Sequence, residues 1–197
     1  MIRSLVSKIV NFLRNAVRAE GKPITLIFVA TGLVITLVQY REHLETKRIK
    51  TSYEHVQEWE EEGYKAAFDV LSNTIRKAEA ASVSVLPDDL DAEAYEAAKL
   101  NVVQRELANA SEGELGAEID KLIYFFDKLS VCVDRNLCDE DLLSVFFRDN
   151  LTRMWIYSSS FVAKRRQEID GYAALTIAYQ ERLKNPPKPS VWDSLPF

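Results

Sequence analysis

The chain reads as all-α: an N-terminal amphipathic helix, a single transmembrane helix, a long helical stalk and a C-terminal helical hairpin or bundle. Three observations predict this. Apolar residues recur at spacings of three and four through most of the 197 residues, the mark of one buried helical face. No stretch alternates apolar and polar residues as a half-buried strand would. The six prolines fall at Pro23, Pro87 and within the last twelve residues, so long segments run without a helix breaker.

Residues 1–22 form the first element, a basic amphipathic arm. Ile2, Leu5, Val6, Ile9, Leu13, Ala16 and Val17 share one helical face, while Arg3, Lys8, Arg14, Arg18 and Lys22 decorate the rest. Such a helix suits the headgroup layer of an anionic bilayer. Residues 23–40 follow as the transmembrane helix. The stretch Ile24–Tyr40, ITLIFVATGLVITLVQY, carries no charged residue, and seventeen helical residues span roughly 25 Å, the short end of what crosses a bilayer core. More than twenty residues precede it and no small-residue cleavage pattern follows, so it is expected to be a retained anchor rather than a signal peptide.

Residues 41–82 hold one glycine and no proline. Leu44, Ile49, Tyr53, Val56, Trp59, Tyr64, Phe68, Leu71 and Ile75 recur mostly at helical spacing, which predicts a continuous stalk or, alternatively, two helices broken at Gly63. Its partial heptad pattern suits pairing with a second copy of the chain. Glu58, Glu60, Glu61 and Glu62 read as a solvated acidic face.

Residues 83–185 are expected to form the helical bundle. Pro87 and the aspartates of SVSVLPDDLD make a loop into an Ala- and Glu-rich helix. Ser111 and Glu114 have capping-box spacing and open the next helix, which carries Ile119, Leu122, Ile123, Phe126 and Leu129. Asn136 suits the left-handed residue after a helix end. A cap at Cys138 or Asp139, flanked by Leu137 and Leu142 as a hydrophobic staple, starts the following helix with Phe146, Leu151, Trp155 and Phe161. Gly171 ends or kinks it, and a last helix holds Tyr172, Leu175, Tyr179 and Leu183. Residues 186–197 are a Pro-rich tail.

The charge is split. Residues 1–50 hold nine Lys or Arg against three Glu, whereas residues 51–197 hold sixteen against twenty-seven acidic residues, behind an overall net charge of −5. A basic, apolar end suits lipid, and the acidic body excludes nucleic acid as a partner, because phosphate binding needs a basic surface. Basic residues flank the apolar span on both sides, so the positive-inside rule does not choose an orientation. The two cysteines, Cys132 and Cys138, are too few for a disulfide framework and read as free thiols in a reducing compartment, although a local bridge is within geometric reach.

Recognisable chemistry is missing. His43 and His55 form no i, i+4 metal pair, and no histidine lies near the cysteines in sequence. Glu54, His55 and Glu58 are helical neighbours that suit a solvated face better than a cation site. There is no phosphate-binding glycine loop and no nucleophile elbow. No enzyme activity, cofactor or metal is therefore expected.

The stretch from Leu122 to Glu168 resembles a bacterial membrane-anchored helical family of unknown function, DUF4760. Phe126 and Asp127 match its aromatic–acid pair; Asn136, Leu137 and Asp139 match its turn, with Cys138 intruding and Asn136 in place of glycine; Trp155 and Arg165 match its last two positions. The resemblance implies an N-terminal membrane helix, a stalk and a helical hairpin in a bacterial inner membrane; the body is expected on the cytoplasmic side, from the absence of any disulfide pattern and from this resemblance. The residues themselves read as structural: Trp155 as core, and Asp127 with Arg165 as a pair across the hairpin. The functional expectation is a non-enzymatic single-pass protein that presents an acidic helical domain to unknown protein partners. The alternative is a membrane-acting effector of the phage-exclusion or toxin-like kind.

Overall fold

A computed structural model describes residues 23–87, 90–110 and 113–185. The basic arm with Arg3, Lys8, Arg14, Arg18 and Lys22, and the Pro-rich tail, lie outside the described residues. Among the described residues six helices form: α1 (Pro23–Glu61), α2 (Tyr64–Val83), α3 (Ala92–Ala110), α4 (Glu114–Asp134), α5 (Glu140–Glu168) and α6 (Ala174–Lys184). The described residues contain no strand, as the periodicity requires. The chain divides into two units, one through Lys47 and one from Arg48 onward.

In the first unit α1 carries the apolar segment. Val34, Ile35, Leu37, Val38 and Tyr40 are all exposed. Among the described residues, no helix is long and apolar enough to cross a membrane.

In the second unit α2 packs on α3 and α4, α3 also packs on α5, and α6 lies on α4. The turn between α1 and α2 centres on Gly63, whose φ of 79° lies in the left-handed region. A Cβ there would stand 2.9 Å from Lys121 Nζ. A single helix over 41–82 therefore does not form; the break expected at Gly63 does. Nor does the part of this segment from Trp59 onward stand apart as a stalk. Its apolar residues Trp59, Tyr64, Ala67, Leu71 and Ile75 are buried in the core. The same 3-4 spacing describes a stalk seam and a bundle seam, and only the tertiary partner tells them apart.

Trp59 organises an aromatic centre. Its ring lies 5.0 Å from Phe125, 5.4 Å from Phe147, 5.9 Å from Phe68 and 6.1 Å from Phe126, centroid to centroid. These tilted and edge-on geometries are the ones aromatic quadrupoles favour. Trp155, expected in the core, is only partly buried and packs against the hydrophobic core from outside.

The helix ends follow local chemistry with two shifts. Asp91 Oδ1 accepts from Ala94 N at 2.8 Å, capping α3. Ser111 lies outside the described residues; α4 begins at Glu114 after Gly113, with no side-chain cap. Asp139 caps α5, its carboxylate accepting from Leu142 N at 2.9 Å. The positions flanking that cap are then Cys138 and Leu143, both buried, whereas Leu137 is 57% exposed; the staple is shifted by one residue at each end.

Candidate functional site

The α4–α5 turn follows from one residue. Asn136 takes φ 56°, and Asn tolerates this left-handed geometry better than most residues. Leu137 N donates to Cys132 O at 2.9 Å and Asn136 N to Val133 O at 2.9 Å. This pair of bonds is a Schellman motif and closes the last carbonyls of α4. The turn folds Cys138 back over the final turn of α4. The Cα atoms of Cys132 and Cys138 come within 5.3 Å and the two sulfurs are bonded, within the span a disulfide needs. The expectation of free thiols is corrected here: the reversal at Asn136 brings together side chains that a continuous helix would hold apart.

The end of α1 lies along this turn. Arg48 Nε donates to Cys138 O at 3.3 Å, and Asp139 N donates to the fully buried Ser52 Oγ at 2.8 Å. One turn further along α1 stands His55, and one turn beyond that Glu58. On α4 the order is reversed: Cys132 comes last and Lys128 one turn before it. Lys128 Nζ meets Glu58 Oε1 in an ion pair, and also donates to Tyr64 OH at 3.1 Å. Ser52 with Asp139 and Glu58 with Lys128 thus pin the register on either side of His55.

The result is a cluster that the sequence did not announce. A ring nitrogen of His55 and the sulfurs of Cys132 and Cys138 all lie within 4.8 Å of one another. His55 Nδ1 and Glu58 Oε2 are 2.8 Å apart, so a neutral imidazole that donates from Nδ1 keeps its lone pair on Nε2. Burial, and then the nearby Lys128 charge, push the His55 pKa below its ordinary value. Both effects disfavour a second positive charge. Burial also pushes Lys128 down, and its ammonium sits 5.0 Å from the Tyr64 ring centroid and 5.1 Å from that of Tyr124. Glu58 is thus not part of a solvated acidic face: its side chain is 18% exposed, unlike Glu60, Glu61 and Glu62.

The residues singled out from sequence lie elsewhere. Phe126 is fully buried in the aromatic centre. Asp127 and Arg165 do not pair. Arg165 Nη2 donates to Asp120 Oδ2 at 2.8 Å, and Tyr172 OH donates to the same carboxylate. Desolvation of Tyr172 and then that carboxylate push the phenol well above its ordinary pKa. Asp127 instead serves α6. Ala173, at φ 56°, precedes that helix and offers no side-chain cap. Asp127 Oδ1 reaches over from α4 and accepts from both Thr176 N and Thr176 Oγ1, each at 2.7 Å. The orphan amide of the first turn of α6 is therefore satisfied by a different helix.

The arrangement can do two things chemically. It can hold or release a covalent S–S bond, and it can offer an imidazole with a fixed tautomer beside two sulfurs. A sequence signal for the cluster was present only as three isolated facts: a Cys pair across a turn, a His–x–x–Glu on one helix face, and an Asn suited to reverse the chain.

A family model described as Domain of unknown function (DUF4760) matches residues 26–175. No curated protein and no solved structure matches the chain.

Proposed function

We propose, for a chain that belongs to the DUF4760 family, that it is a non-enzymatic single-pass membrane protein whose α1 anchors an acidic helical domain that binds protein partners. One observation carries the anchor. Val34, Ile35, Leu37, Val38 and Tyr40 are between 45% and 58% exposed. At 3.6 residues per turn these five positions ring more than half of the helix circumference. A water-soluble helix hides one stripe, not the greater part of its girth. The sequence Ile24–Tyr40 is uncharged throughout, and lipid is the environment that accepts such a surface. The inner bacterial membrane is the proposed location, with the basic arm at the headgroups. The expectation of a cytoplasmic body rests partly on the absence of a disulfide pattern, and the Cys132–Cys138 bond removes that support.

The presenting role is supported by the surface of the second unit. Val145 is 81% exposed, and Phe146 and Tyr53 form an exposed edge-on aromatic pair with centroids 6.3 Å apart. Apolar groups that form no part of the core are spare for recognition. Crosslinking in intact cells, followed by detergent solubilisation of the full chain, tests the role. A defined partner, or a second copy joined along α1, should be recovered with the wild type and reduced in a Val145→Asp, Phe146→Asp variant with an unchanged melting curve. Recovery of no crosslinked species, together with membrane depolarisation on expression of residues 1–40, would instead identify a membrane-acting effector.

A further inference from the structure

We propose that the reduced form of this protein binds one zinc ion through Cys132 Sγ, Cys138 Sγ and a ring nitrogen of His55, and that the disulfide and the metal site exclude one another. The inference is independent of the anchoring role. It rests first on placement: among the described residues, these three ligand atoms lie within 4.8 Å of one another. A tetrahedral zinc with Zn–S bonds of about 2.3 Å holds its sulfurs roughly 3.8 Å apart. Two sulfurs released from their mutual bond need only small side-chain rotations to reach that separation.

The second ground is the support behind the histidine. Glu58 Oε2 lies 2.8 Å from His55 Nδ1. A carboxylate on the far nitrogen is the usual device for fixing the tautomer of a zinc-bound imidazole and raising its basicity. Glu58 is itself held by Lys128, and the α1–α4 register is fixed independently by Ser52 and Arg48. The histidine is therefore presented to the sulfurs by packing and not by a flexible surface side chain. The third ground is enclosure: Cys132 is 7% and Cys138 1% exposed. Two thiolates neutralise a divalent cation, so the loaded site would bury no net charge.

The chemistry balances with a dithiol reductant. The Cys132–Cys138 bond breaks and takes up two electrons and two protons, giving two thiols, while the reductant's two thiols join as its own disulfide. Zinc then displaces the two thiol protons to solvent and binds the thiolates. Three protein ligands leave the fourth position to water. A small-molecule disulfide as oxidant reverses the step: it accepts the two electrons and two protons and leaves as two thiols, while the Cys132–Cys138 bond re-forms, both thiolates are lost and the ion is released.

The test uses the full chain in detergent, stripped of metal, reduced with dithiothreitol and freed of reductant without air. Cobalt(II) serves as the spectroscopic probe, and a chromophoric chelator reports zinc affinity by competition. One equivalent of cobalt should give thiolate-to-metal charge-transfer absorption in the reduced chain and none in the oxidised chain. Cys132→Ser should abolish it, and Glu58→Gln should weaken zinc binding about 10-fold or more. His55→Ala should weaken binding more than Glu58→Gln does. Zinc should also raise the denaturation midpoint of the reduced wild type but not of His55→Ala. Absence of uptake by the reduced chain would overturn the proposal. So would uptake that His55→Ala leaves unchanged, because that is metal bound by two thiols without the folded site.

Discussion

Replacing Asp127 by Ala should destabilise the bundle through a helix that does not contain it. Asp127 Oδ1 accepts two hydrogen bonds from Thr176, each at 2.7 Å. Thr176 is fully buried, so water does not replace the lost acceptor. Its hydroxyl keeps a second partner, Ile123 O at 3.2 Å, whereas its amide keeps none in the first turn of α6. The loss is therefore that of a cap plus one buried donor left unsatisfied, roughly 2–3 kcal/mol. For a helical domain of this size that corresponds to a drop of about 8 °C in Tm. Asp127→Asn keeps an acceptor oxygen and should lose about half as much. Chemical denaturation of the full chain in detergent, followed by far-ultraviolet circular dichroism, measures both. A change below about 0.5 kcal/mol for Asp127→Ala, the usual range of an inert surface substitution, would refute the assignment of this carboxylate as the cap of α6. The same experiment bears on Arg165: its removal should couple to removal of Asp120, its observed partner, more strongly than to removal of Asp127.

Two further predictions concern the core and the α1–α2 turn. Trp59→Ala should cost about 3–5 kcal/mol by emptying the centre of the aromatic cluster, and Trp155→Ala clearly less because its ring is only partly buried; denaturant midpoints of the two variants rank them. Gly63→Ala should cost about 1–2 kcal/mol, because φ 79° penalises any Cβ and Lys121 Nζ must move aside; a calorimetric Tm equal to that of the wild type would contradict the strained turn.

Much of the fold was legible because it is written locally. Helical periodicity, the reversal at Asn136, the cap at Asp139 and the break at Gly63 each depend on a few consecutive residues, and each appears in the structure. What failed to show was which face meets which. The periodic residues from Trp59 to Ile75 have the same spacing in a stalk as in a bundle, and their burial becomes visible only with α4 and α5 in place. The cluster at His55 is hidden for the same reason. Glu58 and Lys128 stand 70 residues apart in sequence, and no local rule sets the register of two antiparallel helices. Asp127 and Arg165 were paired in expectation because opposite charges on facing helices attract. The structure gives each a different partner, since α6 needs a cap that Ala173 does not provide, and Asp120 lies within reach of Arg165.

Alkaline carbonate extraction of membranes carrying the full chain tests the central claim, that α1 is inserted in lipid and not merely laid upon it. Carbonate strips proteins held by surface charge and leaves those held by buried apolar segments. The account predicts that the wild type stays in the membrane pellet, and that Ile35→Lys with Val38→Lys shifts it to the supernatant while the domain keeps its melting curve, since both positions are exposed and each charge at the bilayer centre costs about 3 kcal/mol. Release of the wild type by carbonate would contradict it.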